Sequence, residues 1–166
     1  MDAVELTREL IKKESTDPGS WETEIGEYIC DYLKESGADT EAYEVEPGRK
    51  IVKGVVKGAK AHPALVFICH MDTVPIAGGW TKNPLGEDGE NGRFFGRGSC
   101  DMKSGLASAL CAFLEAAAQM KETGKAPKRT LKWIGTCDEE GDMTGAERVI
   151  ELGWVMKDSL VMDTEP

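Results

Sequence analysis

Histidine is scarce in this sequence: 166 residues include two, His62 and His70. The five cysteines (Cys30, Cys69, Cys100, Cys111 and Cys137) are odd in number and form no CxxC pair. That pattern argues against a disulfide framework and against a structural zinc knuckle. Positive charge is in deficit, with 20 Lys and Arg against 30 Asp and Glu and a formal net charge of -10. Phosphate surfaces require a basic footprint, so neither nucleic acid nor an anionic membrane is expected as a partner. No apolar run approaches the roughly 18 residues of a membrane span. The opening MDAVELTREL is amphipathic and charged rather than a signal peptide. There is no internal repeat or low-complexity tract. The expectation is a soluble cytoplasmic protein, one domain in size, with enough chain for a sizeable core.

What is present alternates between helix and strand patterns. Val4, Leu6, Leu10 and Ile11 are spaced as on a helix over 2–14. A second helix is predicted over 21–36, with Ser20 as its cap, Glu24 near capping-box distance and Gly37 as its stop. DTEAYEVE and KIVKGVVKG alternate with period two and read as strands joined by a turn at Pro47–Gly48. ALVFICH is a continuous apolar run suited to a strand covered on both faces. Residues 76–99 form a long irregular loop, with a small hairpin expected around GEDGENGRFFGRG. KSGLASALCAFLEAAAQMK (103–121) reads as a buried helix. The strand RTLKWIGTC, a helix over 144–152 and the strand SLVMD complete the chain. This order predicts an α/β fold: a largely parallel central sheet flanked by helices in a three-layer sandwich. Ligands of such sheets lie beyond the carboxyl ends of the strands, where CHMD, CDEE and MDTEP all fall.

In HMDTVP, His70 and Asp72 lie two residues apart and share a face of an extended chain. A carboxylate beside an imidazole fixes its tautomer, as around metal-bound histidines. Taken alone, an HxD pair more often marks a satisfied core histidine. Asp101 in GRGSCDMKSG stands before a helix, where Asp is a common cap, and Lys103 reads as a solvated charge. In TCDEEGD, a regular strand would point Glu139 and Glu140 to opposite faces. Aiming both at one site requires a turn, which Gly141 makes easy. One carboxylate can then bind a cation while its neighbour moves protons. Asp163 and Glu165 occupy the equivalent place in MDTEP. Five or more carboxylates at one sheet edge are difficult to keep ionised without cations. The N/O donor set suits zinc, with cobalt and manganese also fitting.

ICHMDTVP, GRGSCDMKSG, TCDEEGD and DTEP, in this order and spacing, resemble the di-zinc amidohydrolase and peptidase family. That family includes acetylornithine deacetylase, succinyl-diaminopimelate desuccinylase, aminoacylases and glutamate-releasing carboxypeptidases. The resemblance implies a zinc-exopeptidase-like fold and roles by position. His70 is a ligand of one metal and Asp72 orients it. Asp101 bridges two divalent ions, with a cis peptide often following it in relatives. Glu139 is the general base, Glu140 binds the second ion and Glu165 completes the first. The implied reaction is hydrolysis of an amide in an N-acyl amino acid or short peptide. Cys69, Cys100 and Cys137 read as small buried side chains, and Trp80 as a packing residue of its loop.

The sequence departs from that pattern in one respect. The family places a further histidine on the second metal, and His62 lies at the wrong end of its strand, roughly 26 Å from His70 at about 3.3 Å per residue. The expectation is therefore that 1–166 is the N-terminal part of a catalytic domain, without the lid or dimerisation domain and the C-terminal part. Such a truncated sheet exposes an edge that favours oligomerisation, including a homo-oligomer. The competing reading is an inactive or regulatory piece that retains a partial metal site.

Overall fold

Leu6, Leu10 and Ile11 are fully buried along one side of α1 (Ala3–Lys12) in the computed structural model, which describes residues 1–165. Asp2 caps this helix: its carboxylate accepts from the Glu5 amide at 2.8 Å, and Glu5 accepts from the Asp2 amide at 3.2 Å. This reciprocal box holds the N-terminus. Helix α2 (Thr23–Ser36) stops at Gly37, whose φ of 84° is the left-handed cap expected of glycine. Its start differs from expectation. Neither Ser20 nor Glu24 caps it; Glu22 holds the cap position and its side chain is engaged elsewhere.

Strands β1 (Asp39–Glu46) and β2 (Arg49–Val56) pair as a hairpin across Pro47–Gly48. Strand β3 (Lys60–His70) begins four residues before its apolar run. The long loop carries the expected small hairpin, β4 (Glu87–Asp88) with β5 (Phe94–Phe95). Then come α3 (Lys103–Thr123), β6 (Arg129–Thr136), α4 (Thr144–Glu151) and β7 (Leu160–Asp163). The main sheet has the order β1-β2-β6-β3-β7. β6, β3 and β7 run parallel, and β2 is antiparallel to both of its neighbours, so it alone opposes the other four.

β6 shows why both faces are covered. Its successive residues Trp133 and Ile134 are fully buried in different clusters, as period two requires. Trp133 packs with Leu10, Ile29, Leu110 and Phe113 under α1, α2 and α3, while Ile134 packs with Val66, Val149 and Trp154 under α4. The chain thus forms helices on both faces of a central sheet. The crossover from β3 leads through α3 to β6, and the next leads through α4 back past β3 to β7; this reversal of direction opens a crevice at the carboxyl end of β3. β7 has no partner on its far side among the described residues, and Leu160, Val161 and Met162 are 53%, 53% and 47% exposed.

After β7 the chain passes close over the first turn of α3. A Cβ on Gly105 would meet the Thr164 carbonyl oxygen at 2.0 Å. Gly105→Ala is therefore expected to displace residues 163–165 and to destabilise the fold by about 1–3 kcal/mol, measured by urea denaturation.

Candidate metal centre

His70 is the last residue of β3 and is 2% exposed. Its Nδ1 lies 2.9 Å from the Asp72 carbonyl oxygen, which can only accept, so Nδ1 carries a proton. Nε2 lies 2.9 Å from Asp101 Oδ1 and 3.8 Å from Glu139 Oε2. Burial disfavours the imidazolium, yet the carboxylates of Asp72, Asp101 and Glu139 outweigh it and raise the His70 pKa. The ring is thus held in place by the main chain at one nitrogen and faces carboxylates with the other.

The Asp72 carboxylate acts differently from expectation. Its Oδ1 is 3.7 Å from Nδ1, beyond a hydrogen bond, while Oδ2 accepts from the Glu140 amide at 2.9 Å. Asp72 thus orients His70 through its carbonyl and fixes the Glu140 backbone through its side chain. Asp101 does not cap α3, because Met102 takes that position without a side-chain bond. The Asp101–Met102 peptide is cis.

The turn that aims Glu139 and Glu140 is made at Asp138, φ 64°, rather than at Gly141. Asp tolerates this left-handed conformation better than most residues. Its side chain is anchored as well: it accepts from Thr144 Oγ1 at 2.6 Å, the Thr144 amide at 3.1 Å and Arg49 Nη1 at 2.9 Å. Although burial opposes ionisation, these bonds bring Asp138 down to about 2. Arg49 is the hub, since its Nη2 also donates to Asp17 and to Glu22 Oε1. Glu22 is fully buried and burial raises its pKa to about 7, with Arg49 opposing and Asp72 adding to the rise. The four acids of TCDEEGD therefore divide: Asp138 turns inward to Arg49, Glu139 and Glu140 face His70, and Asp142 stays exposed.

Two donor groups converge. One ligand atom each from His70, Asp101 and Glu165 lie within 4.8 Å of one another, as do those from His70, Glu139 and Glu140. Burial, reinforced by neighbouring carboxylates, raises the pKa of both Glu140 and Glu165. Protons and a divalent ion compete for such groups, and a cation between Nε2 and the carboxylates would replace the proton now held there. The donors are oxygen and imidazole nitrogen; burial pushes the Cys69 and Cys137 thiols up to about 12 and leaves them out of the ligand set. The residues fit a zinc-like ion on the Glu165 side. On the other side Asp101 and Glu140 remain, while His62 lies at the far end of β3, 3.6 Å from Asp158.

Two readings from sequence are corrected. Lys103 is 1% exposed, its ammonium donating to the carbonyls of Leu10 at 3.1 Å and Lys13 at 2.7 Å, so it ties α3 to the end of α1. Burial lowers its pKa to about 7. Cys100 is exposed, whereas Cys69 and Cys137 are buried as expected. The Arg49 hub was not foreseen; an arginine opening a strand directly after the hairpin turn was the available signal.

The sequence profile described as peptidase family M20/M25/M40 matches residues 66–164. An acetylornithine deacetylase of Vibrio atlanticus is 36% identical over 141 residues, 82% of this chain and 35% of the relative. A succinyl-diaminopimelate desuccinylase of Phenylobacterium zucineum is 34% identical over 156 residues, 91% of this chain and 38% of the relative. The chain thus spans little more than a third of these relatives. Among solved structures, the M20 family metallo-carboxypeptidase Sso-CP2 from Sulfolobus solfataricus superposes with TM-score 0.77 at 22% identity, over 99% of this chain and 37% of that one. The YXEP protein of Bacillus subtilis, described as a dinuclear metal-binding peptidase of the M20 family, gives 0.64 at 18%, over 97% and 41%.

Removing the guanidinium would strand three buried or half-buried carboxylates. Arg49→Met is expected to destabilise the fold by about 3–5 kcal/mol in urea. Glu22, raised from 4.5 to about 7, stabilises the fold fully below 4.5, and that contribution is lost as pH rises through 7. In metal-free protein, Glu22→Gln should flatten the decline in stability between those pH values, as read by denaturation at each pH.

Proposed function

Since the chain belongs to peptidase family M20/M25/M40, we propose that residues 1–166 provide the N-terminal part of a catalytic domain that hydrolyses amide or peptide bonds with divalent metal ions. The observation that carries this reading is one buried imidazole faced by Asp101, Glu139, Glu140 and Glu165 at a single sheet edge. Two ions, zinc first, would be held by His70, Asp101 and Glu165 and by Asp101 with Glu140. When bound, they supply Lewis-acid polarisation of the scissile carbonyl and acidify water.

The chain's own groups do the rest. Asp72 fixes the His70 ring and the Glu140 amide together. Glu139 accepts no hydrogen bond among the described residues and is half-buried, so its carboxylate is free to take a proton. It receives the proton of the attacking water and delivers it to the amine nitrogen as the C–N bond breaks. The names of the relatives support an N-acyl amino acid or short peptide as substrate. Five free cysteines support a reducing, cytoplasmic setting. The open β7 edge supports pairing with further strands or a second copy.

A second reading, a module that holds one ion without turnover, is favoured by the position of His62 far from the site. Calorimetric titration with zinc separates the two, since a stoichiometry near two in this chain contradicts the module. His70→Ala should weaken zinc binding more than about 100-fold, while Glu139→Gln leaves it within a few-fold. In the full-length protein, Glu139→Gln should lower hydrolysis of an N-acetylated amino acid by about 10²–10⁴-fold. No zinc uptake, or unchanged hydrolysis in Glu139→Gln, overturns the reading.

A further inference from the structure

The Arg49 cluster leaves two carboxyl oxygens unaccounted for. Glu22 and Asp72 are both 0% exposed. Glu22 Oε1 accepts from Arg49 Nη2 at 3.1 Å, and Asp72 Oδ2 accepts from the Glu140 amide at 2.9 Å. The other two oxygens, Glu22 Oε2 and Asp72 Oδ1, are buried and have no hydrogen-bond partner among the described residues. One carboxyl oxygen each of Asp17, Glu22 and Asp72 lie within 4.8 Å of one another. Ionised carboxylates this close, sealed from water and without a donor between them, repel each other.

The neighbouring donors are engaged elsewhere. Arg49 Nη1 serves Asp138, Nη2 serves Asp17 and Glu22 Oε1, and the buried Nε reaches no acceptor among the described residues. The His70 Nδ1 proton goes to the Asp72 carbonyl, and the Lys103 ammonium goes to the carbonyls of Leu10 and Lys13. The Cys137 thiol, pushed up to about 12 by burial and then by Glu22, makes no hydrogen bond to either acid among the described residues. A hydrogen for the gap therefore comes from the acids themselves. Burial raises Glu22 to about 7 against the pull of Arg49, with Asp72 adding to the rise. Ordinary glutamates ionise near 4.3.

We infer that Glu22 is held as the neutral acid and donates the hydrogen on Oε2 to Asp72 Oδ1, which makes it a positioning residue for the candidate metal centre. The bond rests on the geometry of the two carboxyls; its bearing on hydrolysis rests on the hydrolase reading. A carboxylic acid donating to a carboxylate forms a short bond, about 2.5–2.7 Å, roughly twice as strong as a neutral one. It fixes the plane of the Asp72 carboxylate. Oδ2 then stays under the Glu140 amide while the Asp72 carbonyl holds the His70 ring. One line of support thus runs from Arg49 through Glu22 and Asp72 to an imidazole and to a carboxylate of the donor set. Glutamine preserves that line, because its carbonyl accepts from Arg49 and its NH₂ donates to Asp72. Leucine breaks it.

Carbon-13 NMR of the metal-free chain, labelled at the side-chain carboxyls of glutamate and aspartate, tests the bond. At about pH 6, where free glutamates are ionised, a glutamate signal should keep the position of a neutral acid and should be missing from Glu22→Gln. If there is no neutral glutamate signal, or if every one persists in Glu22→Gln, the proposal is overturned. A neutral aspartate that depends on Glu22 overturns the assignment of the hydrogen to Glu22. Loss of the neutral signal on adding potassium or magnesium puts a cation in the gap and overturns it as well. Positioning is read separately, by calorimetric titration with zinc. Glu22→Leu should weaken zinc binding by about 10–100-fold, and Glu22→Gln should recover most of that loss. Equal losses in the two variants, or no loss in folded Glu22→Leu, overturn the positioning role. If Glu22→Leu fails to fold, Glu22→Gln decides, since a loss of about tenfold there contradicts a donor that glutamine reproduces. Absence of zinc uptake by the parent chain overturns the hydrolase reading instead and leaves the NMR result to decide the bond.

Discussion

One buried guanidinium supports the geometry of this site. Arg49, at the start of β2, gathers Asp17 from the loop after α1, Glu22 from the start of α2 and Asp138 from the turn after β6. An ion cluster of this kind is a weak source of net stability, because desolvating four charges offsets much of their attraction. Its value is positional. With Asp138 pinned in a left-handed turn, the next two residues leave the strand direction and both face His70, which a continuing strand would forbid.

The chemistry follows from that placement. Parallel β3, β6 and β7 end at one edge, so His70, Glu139, Glu140 and Glu165 arrive there from three strands, and Asp101 joins from the start of α3. The imidazole is fixed by a carbonyl rather than by the Asp72 carboxylate, which frees that side chain to hold Glu140. The result is a rigid imidazole whose Nε2 faces carboxylates, and in Glu139 an acid with no hydrogen-bonding duty among the described residues. Lys103 contributes from behind by joining the ends of α1 and α3.

Much of this was legible in the residues. Helical spacing, period-two alternation and continuous apolar runs located every long element, because burial on one or both faces leaves its trace in the residue pattern, and the motif spacing marked the candidate ligands. What escaped was governed by contacts between distant segments. Ser20 is an acceptable cap by local rules, but Glu22 takes the position because Arg49 draws its side chain inward. Gly141 was the obvious turn residue, yet Asp138 makes the turn because Thr144 and Arg49 hold it. Lys103 reads as a surface charge until two helix-end carbonyls are found beside it. Cys100 has the same local signal as its buried counterparts and is exposed because it sits in the loop before α3, whereas Cys69 lies in β3 and Cys137 directly follows β6.

The central claim is that one histidine and several carboxylates, without sulfur, hold divalent ions at this sheet edge. X-ray absorption on the zinc-loaded chain tests it most directly. The account predicts a shell of oxygen and nitrogen at about 2.0–2.2 Å with a single imidazole. A sulfur shell near 2.3 Å, or no imidazole contribution, would contradict it.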